Sequence, residues 1–209
     1  MNNRLTIIYC ILTGVCALAS GVQGQECPLP LDDNQVVIES RLSENQLRDF
    51  RQLTKQKVAE FQRYLTVVAD PDQQSNIREL AIENTLLLFL PGATMEVGSN
   101  NVVREYPLAI YLRRLKNMEK KYADITITFY DLALVGDWAK TNQGYLTTAT
   151  YFQRFQAFNR KGQPVYRAKT AKQMAVDLRN RKDPFYDENR WTVLLGNVRL
   201  SETAPATGR

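Results

Sequence analysis

Leu47, Phe50, Val58, Phe61, Leu65 and Val68 recur at three-, four- and eight-residue intervals with charged residues between them, the spacing of one long amphipathic helix beginning near Ser43. Ser43 followed three residues later by Gln46 has the form of a capping box, in which each side chain satisfies an otherwise unpaired backbone donor. Asp70-Pro71 ends that helix and, with Asp at a cap and Pro at the first helical position, is expected to start a second. Ile77, Leu80, Ala81, Leu87 and Leu88 carry the second helix up to Pro91-Gly92, and the two are expected to pack as a hairpin. Residues 93–99 and 101–106 then read as short strands around a Gly-Ser-Asn-Asn turn, and Pro107 begins a third helix that exposes Arg113, Arg114 and Lys116. Four longer strands follow at 124–135, 145–159, 165–180 and 191–201, joined by polar, turn-rich connections. This order predicts an α+β layer structure in which a strongly curved antiparallel sheet wraps around the N-terminal helical hairpin, with a third helix beside it.

The first 24 residues change the picture of location. Arg4, an apolar run from Leu5 to Ala19, and the small and polar residues ending Val22-Gln23-Gly24 have the make-up of an export signal cleaved after Gly24. An uncleaved anchor is the alternative, although the run is short for a span of about 20 apolar residues. Residues 25–41 then form a leader, 42–203 a single domain and 204–209 a polar tail. The expected destination is the periplasm or another extracytoplasmic space, with membrane attachment only if the signal stays. Cys10 and Cys16 leave with the signal, so Cys27 is alone and no internal disulfide can form; it either pairs between chains or is an inert thiol.

Loss of Arg4 takes the formal net charge from +5 to +4. Between Arg160 and Lys182 eight basic residues face Asp177 alone, so this segment holds a local excess of positive charge. It could steer an acidic partner such as lipid headgroups or an anionic polymer, or it could be a solvated strand face whose Lys and Arg discourage edge pairing. Export argues against nucleic acid. The chain contains no histidine, which excludes serine–histidine and cysteine–histidine nucleophiles and histidine-ligated zinc. No Gly-rich phosphate loop is present, and no metal or cofactor is expected. Asp, Glu, Tyr and Lys remain as acid–base candidates.

The element order, together with the segments "FLPGATMEVGSNN", "YPLAIYLRRL", "TATYFQRFQAF" and "WTVLLGNVRLSET", resembles the nuclear-transport-factor-two-like superfamily, also called ketosteroid-isomerase-like, and within it a secreted bacterial branch of unassigned function. The resemblance spans roughly residues 42–203 and implies a cone-shaped α+β fold holding any ligand inside the cone. That superfold hosts enzymes, binding modules and assembly subunits, so it does not choose among them.

Strand alternation suggests which polar residues point inward. Asp131 shares the parity of Ile125, Ile127 and Phe129, where a carboxylate would have a raised pKa and could move a proton; a bulge near Tyr130 would instead turn it to solvent. Tyr151 and Gln153 share a face with Phe155, and a buried Tyr151 phenol could donate to a developing oxyanion. Lys172 falls among Tyr166, Ala168, Thr170, Met174, Val176 and Leu178 and is expected to snorkel to the rim; with Tyr151 and Gln153 it would suit a small anionic or amide-bearing ligand. Phe152 and Phe158 lie on the opposite face, which predicts contact with a second copy in a two-fold dimer or with a covering segment. The expected function is an exported, non-enzymatic binding or assembly module. The alternatives are a small acid–base enzyme of isomerase or dehydratase type using Asp131 and Tyr151, and an anchored component of an envelope secretion assembly.

Overall fold

A computed structural model of the chain describes residues 41–99, 102–182 and 188–204. The chain divides into Met1–Val37 and Ile38–Arg209. The export signal, the three cysteines, nearly all of the leader and residues 205–209 lie outside the described residues.

Helix α1 (Glu44–Ala69) is built as its periodicity predicts, burying Thr54, Val58, Phe61, Leu65, Val68 and Ala69. The capping box is present: Gln46 N donates to Ser43 Oγ at 3.3 Å and Ser43 N donates to Gln46 Oε1 at 2.9 Å. Helix α2 (Ser75–Leu88) begins later than expected. Asp70 does not cap it, because its Oδ1 accepts from Asp72 N at 2.9 Å and so closes a turn between the helices.

The face that α2 buries is also corrected. Arg78, Ala81, Ile82, Thr85 and Leu88 point inward, whereas Leu87 is 75% exposed and Ile77 and Leu80 also face out. Arg78 supplies the reason, since a buried guanidinium must be fully hydrogen-bonded. Its Nε donates to the Val68 carbonyl at 2.9 Å, its Nη2 to the Lys116 carbonyl at 2.6 Å, and its Nη1 to the Glu119 carboxylate. The side chain thus ties the last turn of α1 to the end of α3 (Leu108–Lys116) and the short 3-10 turn Asn117–Lys120. The rotation of α2 follows these three acceptors rather than its leucines.

The sheet has six strands: β1 (Thr94–Ser99), β2 (Val102–Pro107), β3 (Asp124–Thr141), β4 (Gly144–Phe158), β5 (Pro164–Lys182) and β6 (Asn189–Ala204). Their order is β2-β1-β6-β5-β4-β3. The last four form an antiparallel meander, and β1 joins β6 in parallel with Met95 opposite Val198. The sheet is therefore mixed, curved and unclosed, and α1 lies against β3 and β6 within it.

Strand β3 runs through the segment expected to be a loop and reaches Thr141, because two register shifts, at Tyr130/Ala133 and Val135/Ala139, re-aim it and return Trp138 to the interior. Trp138 Nε1 then donates to the Leu47 carbonyl at 3.0 Å, pinning the strand to α1. The tight turn that follows needs Gly144, whose φ is +147° and whose missing Cβ would fall 2.0 Å from the Leu178 carbonyl oxygen.

All of the basic segment after the turn that holds Arg160 and Lys161 forms β5, which is flanked by β4 on one side and β6 on the other. Its lysines and arginines therefore do not guard a sheet edge, and that reading of them is corrected.

Candidate functional site inside the cone

On β4 the odd-numbered residues from Tyr145 to Gln153 are buried, and on β5 Thr170, Lys172, Met174, Val176 and Leu178. Register sets Tyr151 opposite Lys172 and Gln153 opposite Thr170, so these four side chains form a two-by-two polar block on the concave face. Apolar residues surround it. Met95 and Leu112 are fully buried, and a chain of rings runs from α1 to the block: Phe61 to Phe129 at 5.6 Å, then Phe129 to Tyr151 at 4.4 Å.

Tyr151 is 2% exposed and its hydroxyl has no hydrogen-bond partner; the same holds for Gln153 Oε1. An unmet buried polar atom costs free energy, about 1–3 kcal/mol each, and two side by side mark a place where a ligand atom or water would be welcome. Burial drives the Tyr151 phenol well above its usual pKa, and the neighbouring Tyr111 adds to the shift. Tyr111, from α3, completes the block from above; burial pushes it up to about 12, opposed by a hydrogen bond with the Gln153 side chain.

Lys172 does not snorkel. It is 4% exposed, and its ammonium donates to the Glu96 carbonyl at 2.5 Å with Met95 Sδ at 3.8 Å. Desolvation lowers its pKa to about 8, partly offset by the nearby Glu96 carboxylate. The reason for the burial is the β1 strand alongside β6, which brings a backbone acceptor to an ammonium that parity places on the packed face and that would otherwise have to snorkel to the rim. Glu96 is itself held by Leu200 N, which donates to its Oε2 at 2.8 Å.

Asp131 stands elsewhere. It is exposed, sits in the left-handed region at φ 53°, and occupies the bulge between Tyr130 and Ala133. The inward reading of this carboxylate is corrected: the extra residue of the bulge breaks the two-residue period, and Asp131 does not share a face with Tyr151. Phe152 and Phe158 are half-buried on the convex face, where Phe152 stacks on Tyr130 at 5.5 Å. Sequence reasoning missed Tyr111 and the Glu96 carbonyl. Tyr111 was within reach, because Leu108, Tyr111, Leu112 and Leu115 share one helical face; the Glu96 contact depends on a long-range strand pairing.

Chemically, the block can donate from an ammonium and a phenol, and accept through an amide oxygen, within a low-dielectric surrounding. Among the described residues no group of three or more His, Cys, Asp or Glu is placed to hold a metal ion, and no helix is long and apolar enough to cross a membrane.

No family model and no curated protein matches the sequence. Among solved structures, a protein of Catenulispora acidiphila in complex with S-DNPA is 13% identical with a TM-score of 0.44, over 73% of this chain and 92% of that one. A protein of Kribbella flavida is 11% identical with a TM-score of 0.43, over 74% and 95%. An NTF-2-like protein of unknown function from Pseudomonas aeruginosa is 15% identical with a TM-score of 0.36, over 73% and 98%. These are distant likenesses of outline. The chain's own architecture, a helical hairpin and third helix held by a curved, unclosed six-stranded mixed sheet, is an α+β fold of the kind that the sequence resemblance implies.

Proposed function

We propose that this protein is an exported binding module that takes a small carboxylate- or amide-bearing ligand against Tyr151, Gln153, Thr170 and Lys172. One observation carries the reading: Tyr151 Oη and Gln153 Oε1 are buried without partners beside the Lys172 ammonium. A carboxylate would accept from Lys172 and Tyr151; an amide would also donate to Gln153 Oε1. Native mass spectrometry of protein purified without refolding tests for a retained compound, and thermal shifts with benzoate and benzamide as probes test the class. Retention or a shift in the wild type that disappears in both Lys172→Met and Tyr151→Phe supports the proposal. Equal behaviour of wild type and variants overturns it. Export is tested by the mass of the mature protein recovered from cells, which should begin after Gly24.

A second reading, a small acid–base enzyme, draws on the Lys172 amine, which titrates near pH 8 opposite Tyr151. In that case Lys172 would be the base and Tyr151 the donor, with Asp131 taking no part. Deuterium entering a cyclohexanone probe faster with wild type than with Lys172→Met would move the assignment to this reading.

A further inference from the structure

The convex face of the sheet breaks a rule of strand pairing. Arg154 on β4 and Lys169 on β5 are register partners, both exposed, on the side opposite Tyr151 and Lys172. Like charges placed directly opposite each other across a ladder destabilise it. Among the described residues neither cation carries an ion pair; the pairs formed involve Arg51, Arg63, Arg78, Lys116 and Arg179. Nor does either protect an edge, because β4 and β5 are both interior strands.

Aromatic rings hold the two cations in place. Tyr130 and Phe152 stack with an interplanar angle of 20°. Arg154 Cζ lies 5.4 Å from the Tyr130 centroid, and Lys169 Nζ lies 5.4 Å from Tyr130 and 4.7 Å from Phe152. Such contacts order a cation without neutralising it. Arg167, two residues along β5, and Arg199 on β6 opposite Gln173 are also exposed on this face. Asp177, the buried carboxylate of β5, is bound in a two-point pair with Arg179 near the other end of the strand. Glu202 stands on β6 at the register position of Ala171. The result is a pair of ordered positive charges, Arg154 and Lys169, about 5 Å apart across two strands, with Arg167 about 7 Å away in one direction along β5 and Arg199 on β6 about 14 Å along the strands in the other, beyond the position of Glu202.

We propose that this convex face binds a linear anionic polysaccharide running along β5, whose repeating carboxylates or sulfates bridge Arg154 and Lys169 at the centre and reach Arg167 on one side and Arg199 on the other, a span of about 20 Å. A row of charges at these spacings fits a polymer better than one compact anion. A nucleic acid fits less well, because cations already lie over the Tyr130–Phe152 stack where a base would need a bare ring. A second copy of the chain fits less well too, since a two-fold contact centred on the patch would set like charges against each other. The proposal is independent of the cone site, which lies on the other face.

The test uses the full chain and heparin as probe. Heparin should bind with an affinity that falls as NaCl rises and should raise the melting temperature. Arg154→Gln and Lys169→Gln should each weaken heparin binding about tenfold, and each free variant should melt no lower than wild type, because the like-charge conflict is relieved. Arg113→Gln, an exposed cation of α3, should leave heparin affinity within about twofold. The melting temperature of each free variant reports its folding directly, so lost binding is not confused with lost structure. Equal losses in Arg113→Gln, or unchanged affinity in Arg154→Gln and Lys169→Gln, would overturn the site. Binding of single-stranded DNA or of phosphatidylglycerol vesicles as tight as heparin at the same salt would overturn the polysaccharide assignment. So would a stable dimer by light scattering that dissociates in Arg154→Gln and does not bind heparin.

Discussion

Lys172 and Glu96 are joined through the backbone of one and the side chain of the other: the ammonium donates to the Glu96 main-chain carbonyl at 2.5 Å, while the Glu96 carboxylate is occupied by Leu200 N at 2.8 Å. The cation is thus hydrogen-bonded but not neutralised by contact, which is why burial prevails over the charge of Glu96 and the pKa falls.

Stability should rise with pH between about 8 and 10.5. In that window the native amine has lost its proton, whereas the unfolded lysine keeps one, so the unfolded state binds more protons. The displacement from 10.5 to about 8 corresponds to about 3 kcal/mol of penalty at neutral pH. Tyr111, raised from 10.0 to about 12, acts in the opposite sense above pH 10, where the unfolded phenol ionises first. Urea unfolding from pH 7 to 11 should therefore show a maximum near pH 10, and Lys172→Met should lose the rise below it. A parallel rise in the variant would show that Lys172 is not its source.

Tyr151→Phe should make the free protein more stable by about 1 kcal/mol, because it removes a buried hydroxyl with no partner and leaves the ring against Phe129. The same change should remove the thermal shift given by benzoate. A variant less stable than wild type would mean that the hydroxyl is already satisfied, for instance by water.

Arg78→Met should cost about 3 kcal/mol, since it leaves the Val68 and Lys116 carbonyls and Glu119 without their shared donor. Glu119→Gln should cost much less, because that carboxylate is 37% exposed and water can replace the guanidinium. Denaturant midpoints of both variants provide the comparison, and equal losses would contradict it.

Gly144→Ala should cost about 3 kcal/mol, because the new methyl meets the Leu178 carbonyl oxygen at 2.0 Å and the backbone is strained for an L residue. Thermal melting would reveal it. A loss below about 1 kcal/mol would show that the β3–β4 turn rearranges freely.

Much of the fold was legible because its signals are local. The Ser43 to Gln46 cap, the helical period of α1 and the parity that brings Tyr151, Gln153 and Lys172 to one face need only a few consecutive residues, and each is present in the structure. For Asp131 the local pattern offered two outcomes, inward by parity or turned to solvent by a bulge near Tyr130; the bulge is present, and only the pairing of β3 with β4 decided it, because one extra residue inverts every later side chain. The face of α2 was hidden for a related reason. Its leucines suggested one orientation, but three acceptors distant in sequence capture Arg78 and rotate the helix. The sequence by itself determined the elements, their order and the inward set of β4 and β5, because period and capping are properties of neighbouring residues. Only the tertiary structure decided that Lys172 is buried under Glu96 and that Arg154 faces Lys169, because both depend on strand pairings that join distant parts of the chain.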